Sequence, residues 1–415
     1  MKKILFLMTA FLLIAGTMTV CAQTIVTPPS TSLRTPGVPH THLFIFIPEG
    51  GPQPSIPNGE TPASIACVYG LVAPTSGCPK SGSVLPVGGT KAIAVVEYGL
   101  YANAQADFDT YNTQWGGSLL PSPHITQVCY PAPPCPNNAG TGWDLETALD
   151  VQIAHAMAPG AAIYIAGFTN DPLGDGAEQG IAARLESTYG AGEVSNSWTY
   201  NGGEGWCSPP SNCELSYDSD FTEPGIVYFA AAGDAGAQVN YPCISPNVAC
   251  AGGTHINRDS GGNFTGTESC WSGSGGGISV VEPRPSYQNI PSVKAIVGNF
   301  RGIPDMSADA DPASGVAVYS SSYCGGWCVV GGTSVASPLL AGYVNNAGHS
   351  LASTNAELTK TYINDSLKAS GYWYNPSGYP PFPPFFDITT GGGGRATPGW
   401  DKCTGIGSPR KLSSF

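Results

Sequence analysis

The chain has 415 residues, with 16 Lys and Arg against 29 Asp and Glu, and only 11% of it is charged. A formal net charge of −13 opposes nucleic acid and anionic membranes as partners. With 55 glycines and 38 prolines, the composition describes a loop-rich globule long enough for one large domain or two ordinary ones.

Met1-Lys2-Lys3 and the apolar run from Ile4 to Gly16 have the basic and hydrophobic regions of a secretory signal. Val20-Cys21-Ala22 places the expected cleavage after Ala22, so residues 1–22 read as the signal. Lipidation at Cys21 and an uncleaved anchor are the alternatives, and bulky Val20 disfavours the first. No later stretch approaches the ~20 apolar residues of a membrane span. Setting aside Cys21, twelve cysteines remain. Five pairs are close in sequence: Cys67/Cys78, Cys129/Cys135, Cys207/Cys213, Cys243/Cys250 and Cys324/Cys328. Cys270 and Cys403 are left as a candidate long-range bridge. Local staples of this kind suit an oxidising compartment, although spacing alone leaves connectivity open.

Residues 23–60 are rich in Pro, Thr and Ser, and read as an extended arm with one strand at Leu43-Phe44-Ile45-Phe46-Ile47. Residues 61–415 read as the main domain. Buried strands are expected at Lys91–Glu97, Ala162–Ala166, Val194–Trp198 and Ile226–Ala232, and a helix over Leu145–Ala158. Strands apolar on both faces and alternating with helices predict an α/β fold. A mainly parallel central sheet would carry helices on both faces in a single large domain.

The sharpest chemical signal is Gly331-Gly332-Thr333-Ser334-Val335-Ala336-Ser337-Pro338, followed by an apolar run. It sets a serine at a helix N-terminus, where backbone N–H groups favour negative charge on a substrate oxygen. Ser334 is then either a nucleophile or an ordinary N-cap. A nucleophile needs a base. None of His40, His42, His124, His155, His255 and His349 stands in a His-Gly-Thr context, and His155 reads as a packed helix residue. Carboxylates fit better. Glu146 and Asp150 are four apart, so a helix presents both on one face. Two such acids at a dry site resist ionising together and can manage a proton. The flanking apolar positions favour a cleft over a solvated surface. Asp234 closes the apolar run Tyr228–Ala232 between glycines, where parallel α/β folds place their sites; as a turn residue it would be unremarked.

In order along the chain, these segments resemble the sedolisins, or serine-carboxyl peptidases. The resemblance rests on Glu-x-x-x-Asp at Glu146 and Asp150, Gly-Asp-x-Gly at Asp234 and Gly-Thr-Ser-x-x-x-Pro at Ser334. Intervening stretches such as Tyr241–Val248, Ser274–Ser279 and Arg301–Asp305 share it, from about Thr61 to Pro409. It implies a subtilisin-like fold in which glutamate replaces the histidine base. Glu146 would take the proton of Ser334, Asp150 would orient Glu146, and a neutral Asp234 would donate to the oxyanion. Activity would therefore favour acid. The resemblance also implies one structural Ca²⁺, held by Asp387, Asp401 and the carbonyls of Ile388, Thr397 and Gly399.

Family members often carry a long propeptide, whereas here residues 23–60 alone separate Ala22 from the domain. The chain would fold unaided, use the short arm instead, or belong to a branch without a prosegment. The expectation is a secreted or periplasmic, monomeric endopeptidase acting on protein or peptide substrates, without nucleic acid or, after signal cleavage, membrane. A tripeptidyl exopeptidase and an inactive binding protein on the same scaffold are the alternatives.

Overall fold

Stretches without a polar face become the inner strands of one large sheet, because both of their faces must be covered. The computed structural model describes residues 23–410 except 49–50, 53, 56, 74, 117–119, 207–212, 349–352 and 370–384. Residues 1–22, Cys207 and His349, on which sequence expectations were placed, lie outside the described residues.

In chain order the arm supplies β1 (Thr24–Val26), α1 (Pro29–Ser32), β2 (Pro39–Thr41) and β3 (Phe44–Ile47). Next come α2 (Pro62–Val68), β4 (Ala92–Tyr98), α3 (Ala104–Trp115), β5 (Thr126–Cys129), α4 (Trp143–Met157) and β6 (Ala162–Phe168). The middle of the chain gives α5 (Ala177–Tyr189), β7 (Gly192–Asn196), β8 (Trp198–Tyr200), α6 (Glu214–Tyr217) and β9 (Ile226–Ala231). After β10 (Ala249–Arg258), β11 (Phe264–Cys270) and β12 (Gly277–Pro283) follow α7 (Pro291–Val297), β13 (Phe300–Ile303) and β14 (Met306–Asp309). The chain then forms β15 (Val316–Ser320), β16 (Gly326–Gly331) and α8 (Thr333–Asn346). The expected strands and the helix appear within a few residues of their predicted bounds. The strand expected over Val194–Trp198 breaks at Ser197 into β7 and β8.

The central sheet runs β11-β10-β9-β7-β4-β6-β5, with β14 also on β10. Its pairs are parallel except β10 with β11. Alternate residues of β4 serve opposite faces. Ile93 and Val95 pack into the core that holds Leu145, Leu149 and Leu339, while Ala92, Ala94 and Val96 join the core that holds Ile181 and Leu185. Thus α4 and α8 cover one face and α5 the other. Gly342 lets α4 and α8 approach: a Cβ there would stand 2.6 Å from the Ala154 carbonyl oxygen. This α/β architecture is the one that the strand pattern predicts.

The arm is more structured than a linker with one strand. Antiparallel pairing joins β1 to β3, β3 to β16, and β2 to β8. Apart from the β1–β3 pair, its strand partners lie far along the chain, so no local pattern announces them. Disulfides join Cys67–Cys78, Cys129–Cys135, Cys243–Cys250, Cys324–Cys328 and, across 133 residues, Cys270–Cys403. Among the described residues, no helix is long and apolar enough to cross a membrane.

Candidate active site

The carboxyl ends of parallel strands leave a crevice, and the candidate residues gather there. Every residue of α4 is buried, Glu146 and Asp150 included. Burial follows from the sequence, since its remaining faces carry Leu145, Leu149, Val151, Ile153 and Ala154 against the sheet and α8. Ser334 is the second residue of α8, whose N-cap Gly332 has φ 113°. Only glycine fits Gly332: an added Cβ would stand 2.0 Å from the His42 carbonyl oxygen and 2.7 Å from Asp234 Oδ2.

Pro338 sits inside α8 and lacks the N–H that would close the helical bond to the Ser334 carbonyl. Ser197 Oγ lies 3.3 Å from that carbonyl and 2.9 Å from Asp150 Oδ1. Its single proton serves the nearer carboxylate. Ser334 Oγ is 3.3 Å from the Ser197 carbonyl, and neither oxygen of Glu146 has a hydrogen-bond partner at good geometry among the described residues. The serine hydroxyl is close enough to Glu146 to lower its pKa, yet it is turned to a backbone carbonyl.

Electrostatics follow from burial. Glu146 is pushed well up by burial and by the charge of Asp150. Asp150 is raised by burial and pulled back by hydrogen bonds from Ser197 and Glu146. The two acids lie side by side, so burial and mutual repulsion keep them from ionising together. A further acid, Glu97 at the end of β4, is pushed well up by burial, then by Asp150 and Glu146. Three buried carboxylates side by side cannot all be charged. Asp234 is raised to about 7 by burial, against the pull of the Thr333 backbone and side chain. Below that pH it is neutral, and its free Oδ2 can carry a proton toward the His42 carbonyl.

The structure brings Glu146, Asp150, Asp234 and Ser334 into one buried crevice. Sequence reasoning missed Glu97, Ser197, Thr333 and His42. Glu97 had a signal, because an acid closing an apolar strand is the pattern that singled out Asp234. His42 approaches Ser334 through its backbone, and its ring is bonded to Thr199 Oγ1 at 2.6 Å. His155 packs edge-on against Phe108, with burial lowering it to about 4, as a helix-core residue should.

Near the C-terminus, Asp387 Oδ2 accepts from Gly399 N at 2.9 Å and Asp401 Oδ2 accepts from Thr397 N at 2.9 Å. Both aspartates therefore grip the same 397–401 turn, with Ile388 buried beside Asp387. Among the described residues neither acid forms an ion pair, and no group of three His, Cys, Asp or Glu side chains could bind a metal. Arg395 is near enough to offset part of the charge of Asp401; two acids beside peptide carbonyls still form a donor set of the kind a hard cation takes, with those carbonyls as the remaining ligands.

No family model matches the chain. It is 31% identical to kumamolisin of Bacillus sp. (strain MN-32) over 401 residues, covering 87% of this chain and 64% of that protein. It is 28% identical to sedolisin of Pseudomonas sp. (strain 101) over 253 residues, covering 51% and 39% respectively. The chain thus spans less than two thirds of these relatives' lengths. The structure superposes on Pseudomonas sedolisin, a serine-carboxyl proteinase solved with pseudo-iodotyrostatin, with TM-score 0.63 and 21% identity. That match covers 86% of this chain and 97% of the other. Ordered motifs, identity and architecture agree that the chain is similar to the sedolisins and has their subtilisin-like fold.

Proposed function

We propose that the chain is a secreted serine-carboxyl endopeptidase that cuts peptide bonds through an acyl-enzyme on Ser334. The observation that carries this reading is the seating of a peptide carbonyl. The His42 carbonyl accepts from Ser334 N–H at 3.1 Å, and Asp234 Oδ2 crowds the same point at Gly332. This is how an oxyanion site is built. Glu146 takes the serine proton and later gives it to the leaving amine, while Asp150, held by Ser197, orients Glu146. Neutral Asp234 donates to the oxyanion, which calls for acid solution.

Endopeptidase action is favoured over tripeptidyl cleavage because extended chain lies on both sides of Ser334, as β2 before it and β3 after it. A site that holds extended chain on both sides of the serine has room for the interior of a polypeptide. An inactive scaffold would have no chemical need of all four groups. Asp387, Asp401 and the carbonyls of Ile388, Thr397 and Gly399 would hold one Ca²⁺, which would supply charge balance to the C-terminal turn. Processing after Ala22 and export would suit the disulfides.

The test is hydrolysis of a denatured protein over roughly pH 3 to 8, comparing the chain with Ser334→Ala. Serine-dependent hydrolysis with an acid optimum is expected. Hydrolysis that survives Ser334→Ala would remove Ser334 from the mechanism.

A further inference from the structure

Asp234 stands on a turn whose position is set from outside its own strand. Gly233 N–H donates to Thr333 Oγ1 at 3.0 Å, and Asn240 Nδ2 donates to the Ala232 carbonyl at 2.9 Å. A third support is the loop that follows β11, Trp271-Ser272-Gly273-Ser274-Gly275. Gly275 N–H donates to the Gly233 carbonyl at 2.7 Å, and Gly236 N–H donates to the Gly273 carbonyl at 2.8 Å. These two bonds flank Asp234. The loop lies flush against the strand end, since a Cβ at Gly275 would stand 2.0 Å from the Ala232 carbonyl oxygen.

A loop this rich in glycine has little to fix its own backbone. Gly253 N–H donates to Ser274 Oγ at 2.9 Å, which holds the middle of the loop. Its outer carbonyls are gathered by one side chain. Arg395 Nη1 donates to the Ser274 carbonyl at 2.9 Å and Nη2 to the Ser272 carbonyl at 3.0 Å, with the Trp271 carbonyl at 3.5 Å. Its Nε donates to the Gly392 carbonyl at 3.1 Å, so the fork is aimed by its own segment. That segment is fixed in turn. Gly392 N–H donates to the Cys270 carbonyl at 2.9 Å, Cys270 N–H to the Thr390 carbonyl at 2.8 Å, and Cys270 is joined to Cys403. Arginine suits the task because its planar fork holds several acceptors in one geometry, whereas a lysine ammonium is a single point on a flexible stem.

We propose that Arg395 is a positioning residue for the active site, bracing the 271–275 loop and through it the backbone that carries Asp234. The inference rests on the peptidase reading and adds to it a residue that touches no reacting atom. Contact runs from the Arg395 guanidinium to the carbonyls of Ser272 and Ser274, and from Gly273 and Gly275 to Gly236 and Gly233. Beyond the guanidinium every link is backbone to backbone, so a shift of the loop is passed on rather than absorbed by a rotating side chain. Asp234 has to meet the oxyanion at hydrogen-bond distance, and a misplacement of about 1 Å can cost on the order of a hundredfold in rate. A bond to the oxyanion is made only in the transition state, so its loss falls on kcat more than on KM.

The experiment compares wild type, Arg395→Met and Arg395→Lys, each shown by thermal melting to be folded at the assay temperature. Hydrogen exchange read by mass spectrometry follows the amides of residues 232–237 and 271–277, and kcat and KM are measured on acid-denatured haemoglobin. In Arg395→Met, exchange in both segments should quicken, and kcat should fall about tenfold while KM stays within about twofold. Arg395→Lys, which can reach one carbonyl at a time, should lie between Met and wild type on both readings. Should Arg395→Met not fold, Arg395→Lys decides by the same two readings. Quickened exchange with unchanged kcat would show a brace that serves stability alone, and would overturn the proposal. Unchanged exchange overturns it too, because the loop then stands without Arg395, and so does a loss carried by KM alone. In each of these cases wild-type hydrolysis leaves the peptidase reading standing. If folded wild type hydrolyses nothing, both fall.

Discussion

Thr333 donates its amide and its hydroxyl to Asp234 Oδ1, each at 2.8 Å, and leaves Oδ2 without a partner among the described residues. One oxygen is thereby fixed as an acceptor, and the other is the one that would carry a proton when the carboxyl is neutral.

In the proposed mechanism this arrangement would set the alkaline limb of activity. Asp234 is raised to about 7, so kcat/KM should fall as pH rises through that value. The Thr333 hydroxyl holds the pKa down; Thr333→Val should therefore move the limb to higher pH. Asp234→Ala should cost about 3–4 kcal/mol in kcat/KM. The sign for stability is the same. Between the usual carboxylate range and about 7, the folded state binds a proton that the unfolded state has lost, so stability declines as pH rises. Thermal melts of Asp234→Asn should lack this decline.

Glu97 offers a second titration. Burial holds it protonated well above the ordinary range, and neither oxygen has a partner among the described residues. Folding therefore weakens as pH rises above about 4.5. Glu97→Gln has nearly the same shape and no charge. At neutral pH it should be more stable than wild type, by about 1.4 kcal/mol for each unit between the folded and unfolded pKa of Glu97. Melts near pH 4 and near pH 7 would check this, with the gain confined to the higher pH.

Gly342 controls the spacing of the two helices that carry the site. Alanine would gain up to about 1 kcal/mol in helix propensity. Its Cβ would meet Ala154 O at 2.6 Å and Met157 Cβ at 2.8 Å, and overpacking typically costs about 1–3 kcal/mol. The clash wins. Gly342→Ala should lower Tm and also kcat, since pushing α8 from α4 separates Ser334 from Glu146. Unchanged kcat with a lowered Tm would show that the spacing serves stability alone.

Calcium should stabilise the chain through the 397–401 turn. Saturation at a hundred times Kd contributes about 2.7 kcal/mol, so a chelator should lower Tm and added Ca²⁺ restore it. Asp401→Asn should abolish the response. A wild-type Tm indifferent to chelator would remove the ion from that turn.

Much of the site was legible because it depends on short spacing. A spacing of four positions from Glu146 to Asp150 puts two acids on one face once a helix is granted. Glycines before Ser334 announced a tight entry into α8, and an acid ending an apolar strand marked Asp234. The same rule would have found Glu97, which was read only as the end of a buried strand. Strand and helix alternation likewise disclosed the parallel α/β architecture.

Other features depend on contacts that no local pattern carries. The order β9-β7-β4-β6 decides that Glu97 comes to stand beside α4, and Cys270 meets Cys403 across 133 residues. The arm is the clearest case. Residues 23–60 look like a polar linker because their hydrogen-bond partners are elsewhere, and His42 lies 292 residues from the Ser334 it touches. Sequence by itself determined which side chains could do chemistry, since periodicity and turn residues are local properties. Only the tertiary structure decided what fills the crevice, because the free backbone edge of β8 will pair with whichever extended segment the fold delivers to it.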